Sequence, residues 1–161
     1  MPPAPPDHAP GPEPHPQGRP SATPLQGLSD GRREEPAPIL APVSLGELVD
    51  KITILDIKNE HLQGPALANV QRERQALGRT LDALPLTVEP ALVEELRATN
   101  ASLWSVEDAL REHERRQDFG EAFVELARSV YRLNDRRAAL KKRINLLAGS
   151  ALIEEKSYAA Y

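Results

Sequence analysis

Six cations stand within twelve consecutive positions: Arg132, Arg136, Arg137, Lys141, Lys142 and Arg143, with Asp135 the one acid among them. Donors at that density can take an anionic ligand such as a phosphate, a nucleotide sugar or an acidic glycan. Cations near a helix C-terminus also complement its dipole and commonly form a solvated face, and that reading carries more weight. No exposed aromatic residues interleave with them, and the formal net charge is −4, so the pattern argues against nucleic acid as a partner. A second polar set is sparser. Asn59, Arg74, Asn100, Glu107, Asn134 and Arg137 interrupt seams that are otherwise apolar at helical spacing. Such residues either fix register, as a buried Asn does in coiled coils, or line a polar pocket between helices. Register is the weightier reading; under the other, Asn100, Asn134 and Arg137 would surround a pocket between the third and fourth helices.

Templates for common catalytic chemistry find no match. A carboxylate-bridged metal site in a bundle needs Glu-x-x-His pairs, but Lys58 precedes His61 by three and Leu110 precedes His113 by three. There is no His-Glu-x-x-His run, no Gly-x-Ser-x-Gly elbow and no phosphate-binding glycine loop. The chain has no cysteine, which excludes disulfides, thiolate metal sites and a thiol nucleophile. No catalytic residue, metal or cofactor is therefore expected. A helical catalyst acting by electrostatic complementarity alone would escape these templates, and Arg74, Arg128 and Arg137 could serve it. An enzyme is the lesser expectation.

The elements that hold these residues follow from periodicity and punctuation. Ser44-Leu45-Gly46-Glu47 reads as a capping box, with the Ser44 hydroxyl and the Glu47 carboxylate both meeting first-turn amides. Leu45, Leu48, Ile52, Leu55, Asn59 and Leu62 then recur at spacings of three and four, the seam of a first helix. Gly64-Pro65 ends it and opens a second, which Pro85 closes. The pattern predicts a third helix over Pro90 to Arg116 and, after the break at Asp118-Phe119-Gly120, a fourth that Gly149 stops. No segment alternates with period two, so no sheet is expected. The fold class is all-α: two antiparallel helical hairpins forming a four-helix bundle or an extended coiled coil. Folding each hairpin back places Arg74 near Asp56, Leu96 opposite Arg137, and Asn100 near Leu133 and Asn134.

Thirteen of the sixteen prolines lie between Pro2 and Pro42, where bulky apolar residues are scarce. Residues 1–43 are read as a disordered proline-rich tail, with no basic and apolar leader pattern, and 44–161 as one helical domain. That domain includes a short C-terminal tail or helix. Ser150 is the expected cap of such a helix, with Leu152 and Ile153 packed back on the bundle. No apolar run is long enough to cross a membrane. Trp104, the single tryptophan, reads as a core or interface anchor. Glu107 and Arg111 have the spacing of a surface helix pair, and Tyr131 is equally open to surface or interface. Lys156, Tyr158 and Tyr161 belong to a terminal segment expected to dock on the bundle or on a partner.

Several stretches occur together: Val43-Ser44-Leu45-Gly46-Glu47-Leu48-Val49-Asp50-Lys51-Ile52-Thr53-Ile54-Leu55, Leu103-Trp104 with Glu107-Asp108, Glu125 to Tyr131, Asn134-Asp135-Arg136, Ile144-Asn145-Leu146-Leu147 and Glu155-Lys156-Ser157-Tyr158. As an ordered set this resembles an uncharacterised bacterial family known only as a domain of unknown function. The resemblance covers about residues 43–161 and implies a small, helical, cytoplasmic protein, often encoded near glycosyltransferase and surface-polysaccharide genes. It brings no active site. The functional expectation is a non-enzymatic helical interaction or scaffold module in the bacterial cytoplasm, pairing with itself as a dimer or with a protein partner, and linked to surface-glycan assembly. The alternative is a small-molecule or sugar-nucleotide binder, or an enzyme, using the polar pocket. Candidate contacts for either are Asn100, Trp104, Glu107, Arg111, Arg128, Tyr131, Asn134, Arg137, Lys141, Lys156, Tyr158 and Tyr161.

Overall fold

The computed structural model describes residues 39–155 and 157. The expected disorder of residues 1–38, and the roles expected for Lys156, Tyr158 and Tyr161, lie outside them. Four helices follow in order: α1 Leu45–His61, α2 Gly64–Asp82, α3 Pro90–Arg116 and α4 Glu121–Leu147. No strand occurs among the described residues. The boundaries fall where punctuation predicts. Pro65 sits in the first turn of α2 and Pro90 in that of α3, where a missing N–H costs nothing. Gly149, at φ 63°, closes α4 in a left-handed turn in which Ser150 N donates to Asn145 O at 2.9 Å.

The two hairpins, α1–α2 and α3–α4, meet through α1. Its partners are α2 on one side and both α3 and α4 on the other, whereas α2 packs against no helix but α1. Arg74 meets Asp56 at 2.8 Å, as the hairpin register predicts. Across the other side, Leu45 and Val49 of α1 pack with Leu92 and Leu96 of α3 and with Leu140 and Ile144 of α4. Ion pairing of Glu60 with Arg97 ties α1 to α3 further along. This three-helix core ends early. The last buried residue of α3 is Leu103 and the first of α4 is Leu140. Past the contacts of α1 with Trp104 and Arg137, the α3–α4 hairpin continues to the edge-on rings of Phe119 and Phe123 at 5.2 Å.

The expected C-terminal helix does not form in the described residues. The Ser150 hydroxyl accepts from the Leu152 amide at 3.3 Å and donates to its carbonyl at 2.8 Å. A local turn thus uses the groups a helix cap would have needed. Leu152 and Ile153 remain partly exposed, and the segment is fastened instead by ion pairs of Glu154 to Lys141 and Glu155 to Lys142.

Gly78 is buried in α2, and a Cβ there would meet nothing closer than the guanidinium end of Arg74, at 3.0 Å. Gly78→Ala should accordingly raise unfolding free energy by roughly 0.5–1 kcal/mol, the helix-propensity gain. Urea denaturation measures it, and a loss of stability would show that the Arg74 side chain cannot yield.

Candidate functional site

α1 presents its first two turns to α4, and both meet polar side chains. Ser44 caps the helix by accepting from Glu47 N at 3.2 Å. The reciprocal half of the expected capping box is absent, because Glu47 turns to Lys141 at 2.5 Å. Asn145, from the far end of the chain, supplies the first-turn acceptor: its Oδ1 takes the Gly46 amide at 2.6 Å while its Nδ2 donates to Ser44 Oγ at 3.2 Å. Close approach requires glycine here, since a Cβ on Gly46 would lie 2.5 Å from the Lys141 carbonyl oxygen.

One turn on, Asp50 is 1% exposed. Arg137 grips its carboxylate through Nε at 2.9 and 3.0 Å and Nη2 at 2.6 Å. Asn100 adds its amide at 2.8 Å to Asp50 and at 3.0 Å to Thr53 Oγ1, whose proton goes to the Asp50 carbonyl at 2.8 Å. The Asp50 hydrogen bonds hold the Arg137 guanidinium above its usual pKa. Lys141 is also buried. Desolvation pushes its ammonium down, but Glu154 and Glu47 together outweigh that and raise it. Three donor groups thus converge on a carboxylate that is 1% exposed, and Asp50 anchors α1 to both α3 and α4.

Against this charged layer lies a cleft of about 180 Å³. Ile54, Ile57 and Lys58 of α1 form one wall, Asn100, Leu103, Trp104 and Glu107 of α3 another, and Arg137 of α4 the third. His61 stacks on the Trp104 indole with ring centroids 4.8 Å apart. Trp104 Nε1 is the one buried side-chain polar atom among the described residues that lacks a hydrogen-bond partner.

Asn100, Trp104, Glu107 and Arg137 thus come together, but around α1 as much as between α3 and α4. The expected neighbour of Asn100 does not join them: Asn134 donates to the Val130 carbonyl of its own helix at 3.0 Å. A longer reach explains this, because Asn100 finds the stronger acceptor, an ionised carboxylate, on α1. Arg111 forms surface bonds to Glu107 at 3.0 Å and Asp108 at 3.3 Å. Arg128 bonds Glu125 at 2.9 Å and, by its hydrogen bond to Tyr131, draws that phenol below its ordinary pKa. Of the six clustered cations, Arg136 pairs with Glu95, Arg137 with Asp50, Lys141 with Glu47 and Glu154, and Lys142 with Glu155. Four of the six thus have intramolecular acidic partners, and Arg132 lies over the Tyr131 ring. Gly46, Asp50, Thr53 and Asn145 were not singled out by sequence. Their signal was the width of the apolar face of α1, where Leu45, Leu48, Val49, Ile52, Leu55 and Ile57 are all buried.

Among the described residues no group of three or more His, Cys, Asp or Glu could hold a metal ion, and no helix is long and apolar enough to cross a membrane. Comparison with known proteins finds one family, described as a family of unknown function (DUF6165), which matches residues 40–161. No curated protein and no solved structure matches.

Proposed function

We propose, for a chain that belongs to the DUF6165 family of unknown function, that it is a helical interaction module that works by pairing with a second copy of itself. One observation carries this reading: the α3–α4 hairpin outruns α1, so its seam residues Val106, Leu110, Phe123, Leu126 and Val130 are only half-buried. Phe119, Val124 and Tyr131 stand exposed beside them, at 48%, 49% and 37%. The exposed face of α4 is also self-complementary. Acids Glu121 and Glu125 lie nearer the hairpin tip, and Arg128, Arg132 and Arg136 lie further from it. In an antiparallel pairing about a two-fold axis near Arg128, positions summing to about 256 meet, and the two Arg128 side chains at the axis are each held by Glu125 of their own chain. Glu125 then faces Arg132 of the second copy, Glu121 faces Arg136, and Val124 lies against Tyr131. A cytoplasmic location and a role in surface-glycan assembly are part of this proposal and rest on the family resemblance alone.

Sedimentation equilibrium tests the pairing. The full chain should associate with a concentration-dependent mass approaching the dimer. Val124→Asp should leave a monomer with unchanged helical circular dichroism. Glu125→Arg should weaken the dimer, and adding Arg132→Glu should restore it. A full chain that stays monomeric at hundreds of micromolar would sink the reading.

A second reading, small-molecule binding in the Trp104 cleft, is favoured by the unpartnered indole N–H. The cleft volume of about 180 Å³ is well below the ~300–1,000 Å³ of drug-sized sites, which supports a ligand smaller than a sugar nucleotide.

A further inference from the structure

The cleft's charges and donors narrow what it can accept. Arg137 is neutralised by Asp50, and Glu107 is drawn to Arg111 at 3.0 Å, a cation it shares with Asp108. Lys58 lines the same cleft, and no acidic side chain among the described residues pairs with it. Lys58 thus brings a cation without an acidic partner to a cleft that Trp104 also lines, and the Trp104 N–H is buried without an acceptor. Burying a donor unpaired costs free energy that an incoming acceptor would return. The rest of the lining, Ile54, Ile57 and Leu103, is apolar.

We infer that the cleft between α1, α3 and α4 binds a small organic monocarboxylate, its carboxylate held by Lys58 and the Trp104 N–H and its short apolar body lying on Ile54, Ile57 and Leu103. A carboxylate is the acidic partner that Lys58 lacks. A carboxylate oxygen is the acceptor the indole lacks, and a few carbons fill the volume. His61, the exposed last residue of α1, is stacked on Trp104 and covers one face of the indole. This inference does not depend on self-pairing, because the cleft lies on the three-helix core and not on the outer hairpin.

Trp104 is the single tryptophan, so its indole gives one unambiguous ¹⁵N–¹H cross-peak in the full chain. Butyrate should move that peak saturably in the millimolar range, while butanol and matched sodium chloride leave it in place. Lys58→Met should weaken the butyrate response by at least about tenfold, the scale of one lost charge-assisted hydrogen bond, with the rest of the spectrum unchanged. Lys58→Arg should retain most of it. Inorganic phosphate, which has no apolar body, should act only at higher concentration. An indole peak unmoved by butyrate, moved equally by butanol or salt, or equally responsive in Lys58→Met overturns the inference. So does phosphate acting at lower concentration than butyrate.

Discussion

Arg137→Ala should be the most destabilising single substitution on the charged layer, lowering unfolding free energy by about 3–5 kcal/mol. The reason is an asymmetry between the partners. Asp50 is 1% exposed, so without the guanidinium its charge is left inside the bundle with one neutral amide, from Asn100. Arg137 keeps 28% of its side chain in solvent, so Asp50→Ala strands a cation that can turn outward. That second substitution should cost only about 1–3 kcal/mol, the range for losing hydrogen bonds without trapping a charge. Changing both residues together to apolar ones of similar size should cost less than Arg137→Ala alone. Urea denaturation of the three variants gives the order. If Asp50→Ala costs as much as Arg137→Ala, the carboxylate is not the trapped partner and the account fails.

Gly46→Ala is the second large effect, and its sign discriminates. On propensity alone, alanine in the first turn of α1 should be favoured by up to ~1 kcal/mol. The packing reverses that. The new methyl would sit 2.5 Å from the Lys141 carbonyl oxygen and 2.9 Å from Asn145 Oδ1, and the first of these is backbone, which cannot swing away. α1 and α4 must separate, which stretches the Gly46–Asn145 hydrogen bond and loosens Ile144 in the core. A net loss of about 1–3 kcal/mol is expected, as for overpacked cores. Gly78→Ala is its control, because the same substitution meets only a flexible side-chain end there. Thermal melts of the two variants should move in opposite directions. A rise for Gly46→Ala would mean that the close approach of α1 to α4 is not real.

Helix number, type and ends could be read from the chain because each depends on local chemistry: Ser44 capping α1, Gly64-Pro65 between α1 and α2, Pro90 opening α3, Gly149 closing α4. Pairing inside each hairpin was equally legible, as Arg74 on Asp56 illustrates, since a short turn fixes register. What periodicity does not encode is which hairpin faces meet. Asn100 and Arg137 stood out as polar residues on apolar seams, but their common partner did not. Asp50 lies beside the seam of α1, between Val49 and Lys51, where a helix with one neighbour would expose it. Only the addition of α3 and α4 buries that side. Asn145, between Ile144 and Leu146, was hidden for the same reason. The carboxylate of Glu47 was misdirected because the sequence alone does not reveal a buried lysine from a distant helix that competes for it.

The bonds that close the first turn of α1 join residues 99 and 101 positions apart, Gly46 and Ser44 with Asn145. Contacts of such separation form late, after the entropy of closing the long intervening chain has been lost. On a ribosome, α1 emerges long before α4, so the nascent α1–α2 hairpin waits with its N-terminal amide open and its wide apolar face uncovered. Completion of the last helix therefore acts as a checkpoint: a chain truncated before Asn145 has every other helix start it needs and still lacks the piece that locks the first one in place.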